Sequence, residues 1–292
     1  NSLYQYQSLK KSLDLTDIQK FILIWKYKNT FNFTYFIYFE LMNKKYFIEN
    51  GYLEFKNLLD KSLCKKLNNK ILKTRKIDEK IFFENKREYL KNKNRKIKTS
   101  NILDKFNLDF IYKNKKFQSQ VENILGKDYF LYASRVVCAL PHKYLPKWIS
   151  AKMDSGQANL GNFIKHKFRD MRYFHGIDYH MDLVDFSKEK SNFITVYIYL
   201  DKVTEKMSPL NILPKTHLGG AASYPHNLVK KKGKIIYKTV SKKNIITKNK
   251  VLTGSAGDTW FWHGCLLHGT NFNVQGDTPR LSLRFIFRQK NT

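Results

Sequence analysis

Arginine is scarce in a chain otherwise crowded with positive charge. Nine of the 54 basic residues are Arg, against 24 acidic ones, for a formal net charge of +30 over 292 residues. A protein that reads phosphates is expected to carry more of its charge on Arg, whose planar fork matches phosphate oxygens. Lys, Asn, Ile, Tyr and Phe all have A/T-rich codons, so genome composition accounts for much of the bias without a nucleic-acid partner. Cysteine is scarcer still. Cys64, Cys138 and Cys265 lie far apart with no CxxC pair, which excludes a disulfide framework and a thiolate zinc site and points to a reduced, cytoplasmic protein. Cys64 and Cys138 are expected to pack as small apolar residues. Long apolar runs are missing too. The stretch from Phe21 to Met42 is broken by Lys26, Lys28, Asn29, Thr30 and Asn32, and neither half reaches the ~20 residues of a membrane span. The first twenty residues show no apolar signal-peptide core.

What is present belongs to a folded protein: 42% hydrophobic and 15% aromatic residues, enough for a sizeable core. Residues 1 to about 128 read as basic and helical. Asp14-Leu15-Thr16-Asp17 offers a helix start before Ile18, Phe21, Ile22 and Trp25. A short extended piece after Phe47 precedes a helix from about Asp60, with Leu63, Leu67 and Ile71 on one face. The Lys/Asn-rich run 72–116 reads as solvated helix and loop, and Gln118 to Leu125 as a helix ended by Gly126. From Tyr129 the texture changes to aromatic and β-branched runs: "YFLYASRVVCALP", then Asp178–Asp182, Phe193–Leu200, Leu210–Leu213, Ile235–Val240, Thr259–Trp262 and Leu281–Arg288. Short strands at irregular spacing, without alternating helices, predict a closed or double-sheet β architecture preceded by helices. Residues 1–45 read as an appendage and 46–292 as the main domain, its β core starting at about 129.

Of eight histidines, one is followed two residues later by a carboxylate: His180-Met181-Asp182, in "DYHMDLVDF". On a strand, positions i and i+2 share a face, so imidazole and carboxylate converge. A third ligand from a distant strand would complete two histidines and a carboxylate on one face of an octahedron, the pattern of non-haem Fe(II) oxygenases. His263 and His268 compete for that place. Twelve residues past His268 comes Arg280, with Ser282 and Arg284 on the same strand face. A guanidinium beside a hydroxyl is a clamp for a terminal carboxylate, and either arginine can supply it. Trp260, Phe261 and Trp262 read as core and wall, and Cys265 as packing near the metal-bearing strand.

Taken together these pieces resemble the phytanoyl-CoA dioxygenase family of Fe(II)/2-oxoglutarate-dependent oxygenases, which includes ectoine hydroxylases. "YFIENGYLEFKNLLDKSLCKKL" looks like the family's opening, "YHMD" like its proximal metal motif, and "FITVYIYLDKVTEKMSPLNILPKTHLGG" like the strand-turn-strand that follows. "GDTWFWHGCLLHGTNFN" followed by "RLS" resembles its distal half. The likeness runs from about 46 to 288. It implies a mainly β protein with N-terminal helices and a double-stranded β-helix (jelly-roll, cupin-like) core. It also implies iron ligands His180, Asp182 and His268, with Arg280 on the distal carboxylate of 2-oxoglutarate, helped by Ser282. The spacing favours His268 over His263. Family halogenases replace the ligand carboxylate with a small residue; Asp182 is present, which implies hydroxylation or another oxidation and not halogenation. One departure concerns the loop before His217, where "SPL" and "PKTH" stand for the family's Gly-Pro-Leu and Pro-Gly-Ser-His.

The implied reaction takes Fe(II), 2-oxoglutarate and O2, releases succinate and CO2, and hydroxylates an unactivated C–H bond. Thr195 and Tyr197 alternate onto one face of their strand and are placed to contact 2-oxoglutarate. The basic segment Lys165 to Arg172 points to an anionic or carrier-tethered small-molecule substrate, or is a solvated loop. His175 is expected at the pocket or capping a loop, and His217 and His226 in structural or rim positions. Two rival readings stay open: a nucleic-acid-binding or demethylating protein of the same fold, given pI ≈ 9.9, and a non-catalytic β-barrel binding module.

Overall fold

A computed structural model describes residues 31–95, 100–149, 159–182, 193–270 and 277–290, with side chains from residue 40 onward. The expected helix start at Asp14 lies outside them. The chain divides into two compact units, Asn1–Tyr46 and Phe47–Thr292. The described part of the first is helical, within α1 (Phe31–Asn50).

Helices α2 (Lys61–Thr74), α3 (Lys86–Asn92), α4 (Asp109–Tyr112) and α5 (Lys115–Leu125) follow. Asp60 caps α2 by accepting from the Leu63 N–H at 2.8 Å, which satisfies one of the four free amides of the first turn. The buried stripe of α2 is Cys64, Leu67 and Ile71, while Leu63 is exposed. Leu67 and Ile71 are buried as expected, and in the first turn the Cys64 thiol packs where Leu63 was expected. Asn114 caps α5 in the same way, and Gly126 ends it at φ +81°, a conformation that glycine adopts without strain.

The run 72–116 is less solvated than its composition predicts. Ile81, Phe82, Phe83, Ile102, Leu103, Leu108 and Ile111 are all buried. These residues come singly or in short clusters between lysines, and a short 3-10 turn buries such a cluster without any long apolar periodicity.

Among the described residues thirteen strands carry the rest: β1 (Tyr52–Phe55), β2 (Tyr129–Ala139), β3 (Arg172–Phe174), β4 (Ile177–His180), β5 (Phe193–Tyr199), β6 (Leu210–Ile212), β7 (Leu228–Lys231), β8 (Lys234–Lys238), β9 (Asn244–Thr247), β10 (Lys250–Leu252), β11 (Thr259–His263), β12 (His268–Thr270) and β13 (Arg280–Gln289). They form a six-stranded sheet in the order β1-β11-β5-β13-β2-β3, a four-stranded sheet β10-β6-β12-β4, and a separate three-stranded sheet β7-β8-β9. Two facing sheets with a mostly antiparallel ladder are the jelly-roll core of a mainly β protein.

The six-stranded sheet is covered on both faces, which is why "FITVYIY" has no polar alternation. Ile194, Val196 and Ile198 of β5 join Leu281, Leu283, Phe285 and Phe287 of β13 in a cluster with Cys64, Leu67 and Ile71 of α2 and Phe117 and Val121 of α5. Each such side chain contributes about 1.5–3 kcal/mol by leaving water. The residues between them point the other way. Tyr197 and Tyr199 pack with Trp260, Trp262, Leu210 and Ile212 in a second cluster between the two sheets. This alternation sends Thr195, Tyr197, Arg280, Ser282 and Arg284 inward, toward the four-stranded sheet.

Candidate metal centre

The antiparallel pairing of β4 with β12 sets His180 directly opposite His268. Their rings lie 4.4 Å apart, centroid to centroid. Strand β4 stops at His180, short of the Asp182 end expected from sequence. Asp182 still turns its carboxylate back to the histidines, and donor atoms of His180, Asp182 and His268 all fall within 4.8 Å of one another. Among the described residues this is the one cluster of three metal-ligating side chains.

Both imidazoles are oriented by their own backbone. The Nδ1 of His180 lies 2.9 Å from the carbonyl of Asp178, and that of His268 lies 2.9 Å from the carbonyl of Leu266. A carbonyl only accepts, so each Nδ1 carries the proton and each Nε2 keeps its lone pair for the centre. Burial pushes His268 down to about 4, against the raising effect of the Asp182 charge, so it is neutral near pH 7.

The Asp182 carboxylate is held from three strands. Its Oδ2 accepts from the Thr195 hydroxyl at 2.5 Å and the Trp262 indole N–H at 3.0 Å. Its Oδ1 faces His268 Nε2 at 3.7 Å and Arg284 Nη1 at 3.4 Å. Burial alone would raise this carboxyl, but electrostatic interaction with His268, Arg284 and His180 and the Thr195 hydrogen bond outweigh it and hold Asp182 well below the usual range. The result is an ionised carboxylate beside two imidazoles, with Oδ1 left unengaged by Thr195 and Trp262. This donor set suits a divalent iron and leaves the remaining coordination positions to small molecules.

Arg280 is buried at 3% exposure without a carboxylate partner among the described residues. Its Nε donates to the Met207 carbonyl at 3.1 Å, and its Nη1 donates to Tyr197 at 3.2 Å and Ser282 at 2.7 Å. The guanidinium also lies over the rings of Tyr199 and Tyr197, at 5.6 and 6.0 Å. A buried cation held only by neutral groups is costly unless an anion joins it. One cavity is lined by both histidines, by Arg280 and Arg284, and by Val137 and Phe174.

The other expected residues separate. Tyr197 supports Arg280, whereas the Thr195 hydroxyl is engaged by Asp182. His263 stands apart from the centre, stacked near His217 at 5.3 Å and accepting from the Cys265 N–H; burial pushes it down to about 4. His217 Nε2 meets the Ile48 carbonyl and His175 Nδ1 the Leu140 carbonyl, both structural contacts. In the basic segment, Arg169 donates to the carbonyls of Ile164 and Asn162, and Lys165 pairs with Glu84. These side chains tie loops together and do not line the cavity.

Sequence reasoning missed Trp262 and Arg284 as partners of Asp182. Trp262 was readable in part: a buried indole N–H needs an acceptor, and Trp262 pairs directly with Thr195 across the β11–β5 ladder.

The family model for phytanoyl-CoA dioxygenase (PhyH) matches residues 47–281. Several solved structures share the fold at low identity. The epimerase SnoN from nogalamycin biosynthesis, in complex with Fe3+, alpha ketoglutarate and nogalamycin RO, superposes with a TM-score of 0.52 at 13% identity, over 86% of this chain and 83% of SnoN. The non-heme monooxygenase ThoJ in its Ni complex gives 0.51 at 13%, over 84% and 76%. EctD from S. alaskensis in its apoform gives 0.50 at 12%, over 85% and 76%. No curated protein matches the sequence. No described helix is long and apolar enough to cross a membrane.

Proposed function

The chain belongs to the phytanoyl-CoA dioxygenase family of iron- and 2-oxoglutarate-dependent oxygenases, and from that premise we propose that it hydroxylates an unactivated C–H bond of a small-molecule substrate. In this reading His180, Asp182 and His268 hold the iron, and Arg280 with Ser282 takes the far carboxylate of 2-oxoglutarate. The observation that carries it is Arg280: a buried cation without a carboxylate partner among the described residues, opening on the same cavity as the two histidines.

Bound iron and 2-oxoglutarate supply the oxidising power, one oxygen atom of O2 going to the substrate and one to succinate as CO2 leaves. The chain's own residues do the positioning. The carbonyls of Asp178 and Leu266 fix the imidazole tautomers, so metal capture near pH 7 displaces no proton from His268. Thr195 and Trp262 hold one oxygen of Asp182 and leave the other free for the metal. Tyr197, Ser282 and the Met207 carbonyl lock the Arg280 fork before its anion arrives, which lowers the ordering cost of binding. Val137, Phe174 and Leu210 give the cavity apolar walls that keep water from the reacting carbon. The buried thiols of Cys64, Cys138 and Cys265, none of them in a disulfide, fit a reducing, cytoplasmic setting.

Anaerobic titration of metal-free protein with Fe(II) and then 2-oxoglutarate tests the reading. A visible metal-to-ligand charge-transfer band that needs both additions is expected. Its absence from folded, iron-loaded protein would overturn the assignment.

A further inference from the structure

Arg280 and Arg284 leave the same face of β13 in different surroundings. Arg280 is buried and its Nε and Nη1 are engaged. Arg284 lines the cavity with its side chain 30% exposed. Its one hydrogen-bond or ion-pair partner among the described residues is Oδ1 of Asp182, at 3.4 Å. That oxygen is the one Thr195 and Trp262 leave free, and it faces His268 Nε2. A divalent ion bound there draws on the same lone pairs and repels the guanidinium, so loading the centre weakens this ion pair.

The charge balance points the same way. Among the described residues, two guanidiniums and a divalent ion, set against one carboxylate and the 2-oxoglutarate dianion, leave one positive charge over. The remaining walls carry no acidic side chain among the described residues: Val137, Phe174, Ile177 and Leu210 are apolar. In a partly enclosed, weakly polar site an unbalanced guanidinium is a strong attractor for an anion, and its planar fork fits a carboxylate or a similar oxyanion.

We propose that Arg284 is a specificity-determining residue that receives the anionic group of the substrate, a monoanionic organic acid whose apolar body lies along Val137 and Phe174. The inference rests on the iron and 2-oxoglutarate reading above and adds the substrate's chemical class. Such an acid binds after the metal, because the ion pair between Arg284 and Asp182 is loosened only once the ion is in place.

The test uses the anaerobic Fe(II) protein at saturating 2-oxoglutarate and two probe pairs, benzoate against benzamide and cyclohexanecarboxylate against its amide. Binding is read by equilibrium dialysis and by the shift of the charge-transfer band, neither of which needs turnover. The wild-type protein is expected to bind each acid about tenfold tighter than its amide, a charge-assisted pair against a neutral one. In Arg284→Gln the ratio falls to about one. In Arg284→Lys it lies between, because the charge remains and the fork is lost.

A wild-type ratio of one, or no binding of either acid, overturns the proposal. So does an undiminished ratio in Arg284→Gln, or a fall in 2-oxoglutarate affinity of more than about tenfold in that variant, which would assign Arg284 to the cosubstrate. The wild-type ratio and the lysine variant decide the matter even if the glutamine variant does not fold. A missing charge-transfer band in the wild type would instead remove the iron reading itself, so the two failures are told apart.

Discussion

Strand β5 of the six-stranded sheet is buried at all seven of its positions, whereas β4 of the four-stranded sheet has four residues and none of them fully buried. The contrast extends to their neighbours. Strand β13 runs for ten residues and pairs along most of its length with both β2 and β5, while β12, which carries His268, has three. The long sheet, packed against the helices, has the stability of a core; the short sheet supplies both histidines on strands too brief to hold them alone. The long sheet compensates by reaching across: Thr195 from β5, Trp262 from β11 and Arg284 from β13 all end on Asp182. The proposed metal ligands and the groups that orient them are thus divided between two layers, one of short strands and one of long, buried strands.

That division can be broken at its weak side first. Asp182→Ala removes the carboxylate that both layers share, and iron retention and succinate release are expected to fall to background while the helix-covered sheet keeps the fold; metal analysis beside circular dichroism checks this. Next comes Gly269→Ala. A Cβ there would sit 2.6 Å from the Ile177 carbonyl oxygen, which is backbone and cannot swing aside. The substitution must push β4 away from β12 and part His180 from His268, at a cost of about 1–3 kcal/mol in stability and with loss of the charge-transfer band. Thermal unfolding and Fe(II) titration would show both losses together.

Smaller effects sharpen the contrast from the rigid side. Trp262→Phe and Thr195→Val each remove one hydrogen bond to Asp182 Oδ2 and keep the packing, so Fe(II) affinity is expected to drop about 10- to 100-fold with little change in unfolding temperature. A drop in stability without one in affinity would mean the layers are not divided in this way. The smallest effect at neutral pH belongs to His263, outside the centre. Its folded value of about 4 lies below the ordinary 6.5, so between those values the unfolded chain binds a proton that the native state refuses. Stability therefore falls as pH drops through that window, by on the order of 3 kcal/mol for this group. His263→Gln should flatten the acid limb of the denaturation curve and leave Fe(II) affinity unmoved.

What the sequence made legible follows the same line. Strands such as Phe193–Tyr199 and Arg280–Gln289 announce themselves because burial on both faces demands β-branched and aromatic residues throughout. The helix after Asp60 shows in its period, though its buried face is set by Cys64 and not Leu63, a phase that only the packing partner decides. Strand β12 is "HGT" and β3 is "RYF", too short and too polar to carry a signal of their own. The triad was readable because His180 and Asp182 are neighbours in sequence and the resemblance located His268. The roles of Trp262 and Arg284 depend on which strand lies beside which, information that resides in tertiary pairing and not in any local window.

The bonds that orient Asp182 come from partners 13, 80 and 102 residues further along the chain. Closing such long loops is slow relative to local structure, because their entropy is lost before the contacts form. During synthesis His180 and Asp182 leave the ribosome well before His268, Trp262 and Arg284, so a nascent or truncated chain holds half a chelate with an unoriented carboxylate. If the triad holds iron as proposed, tight retention becomes possible only when β11 and β12 have docked, and the metal content of a preparation would count the molecules folded through those strands.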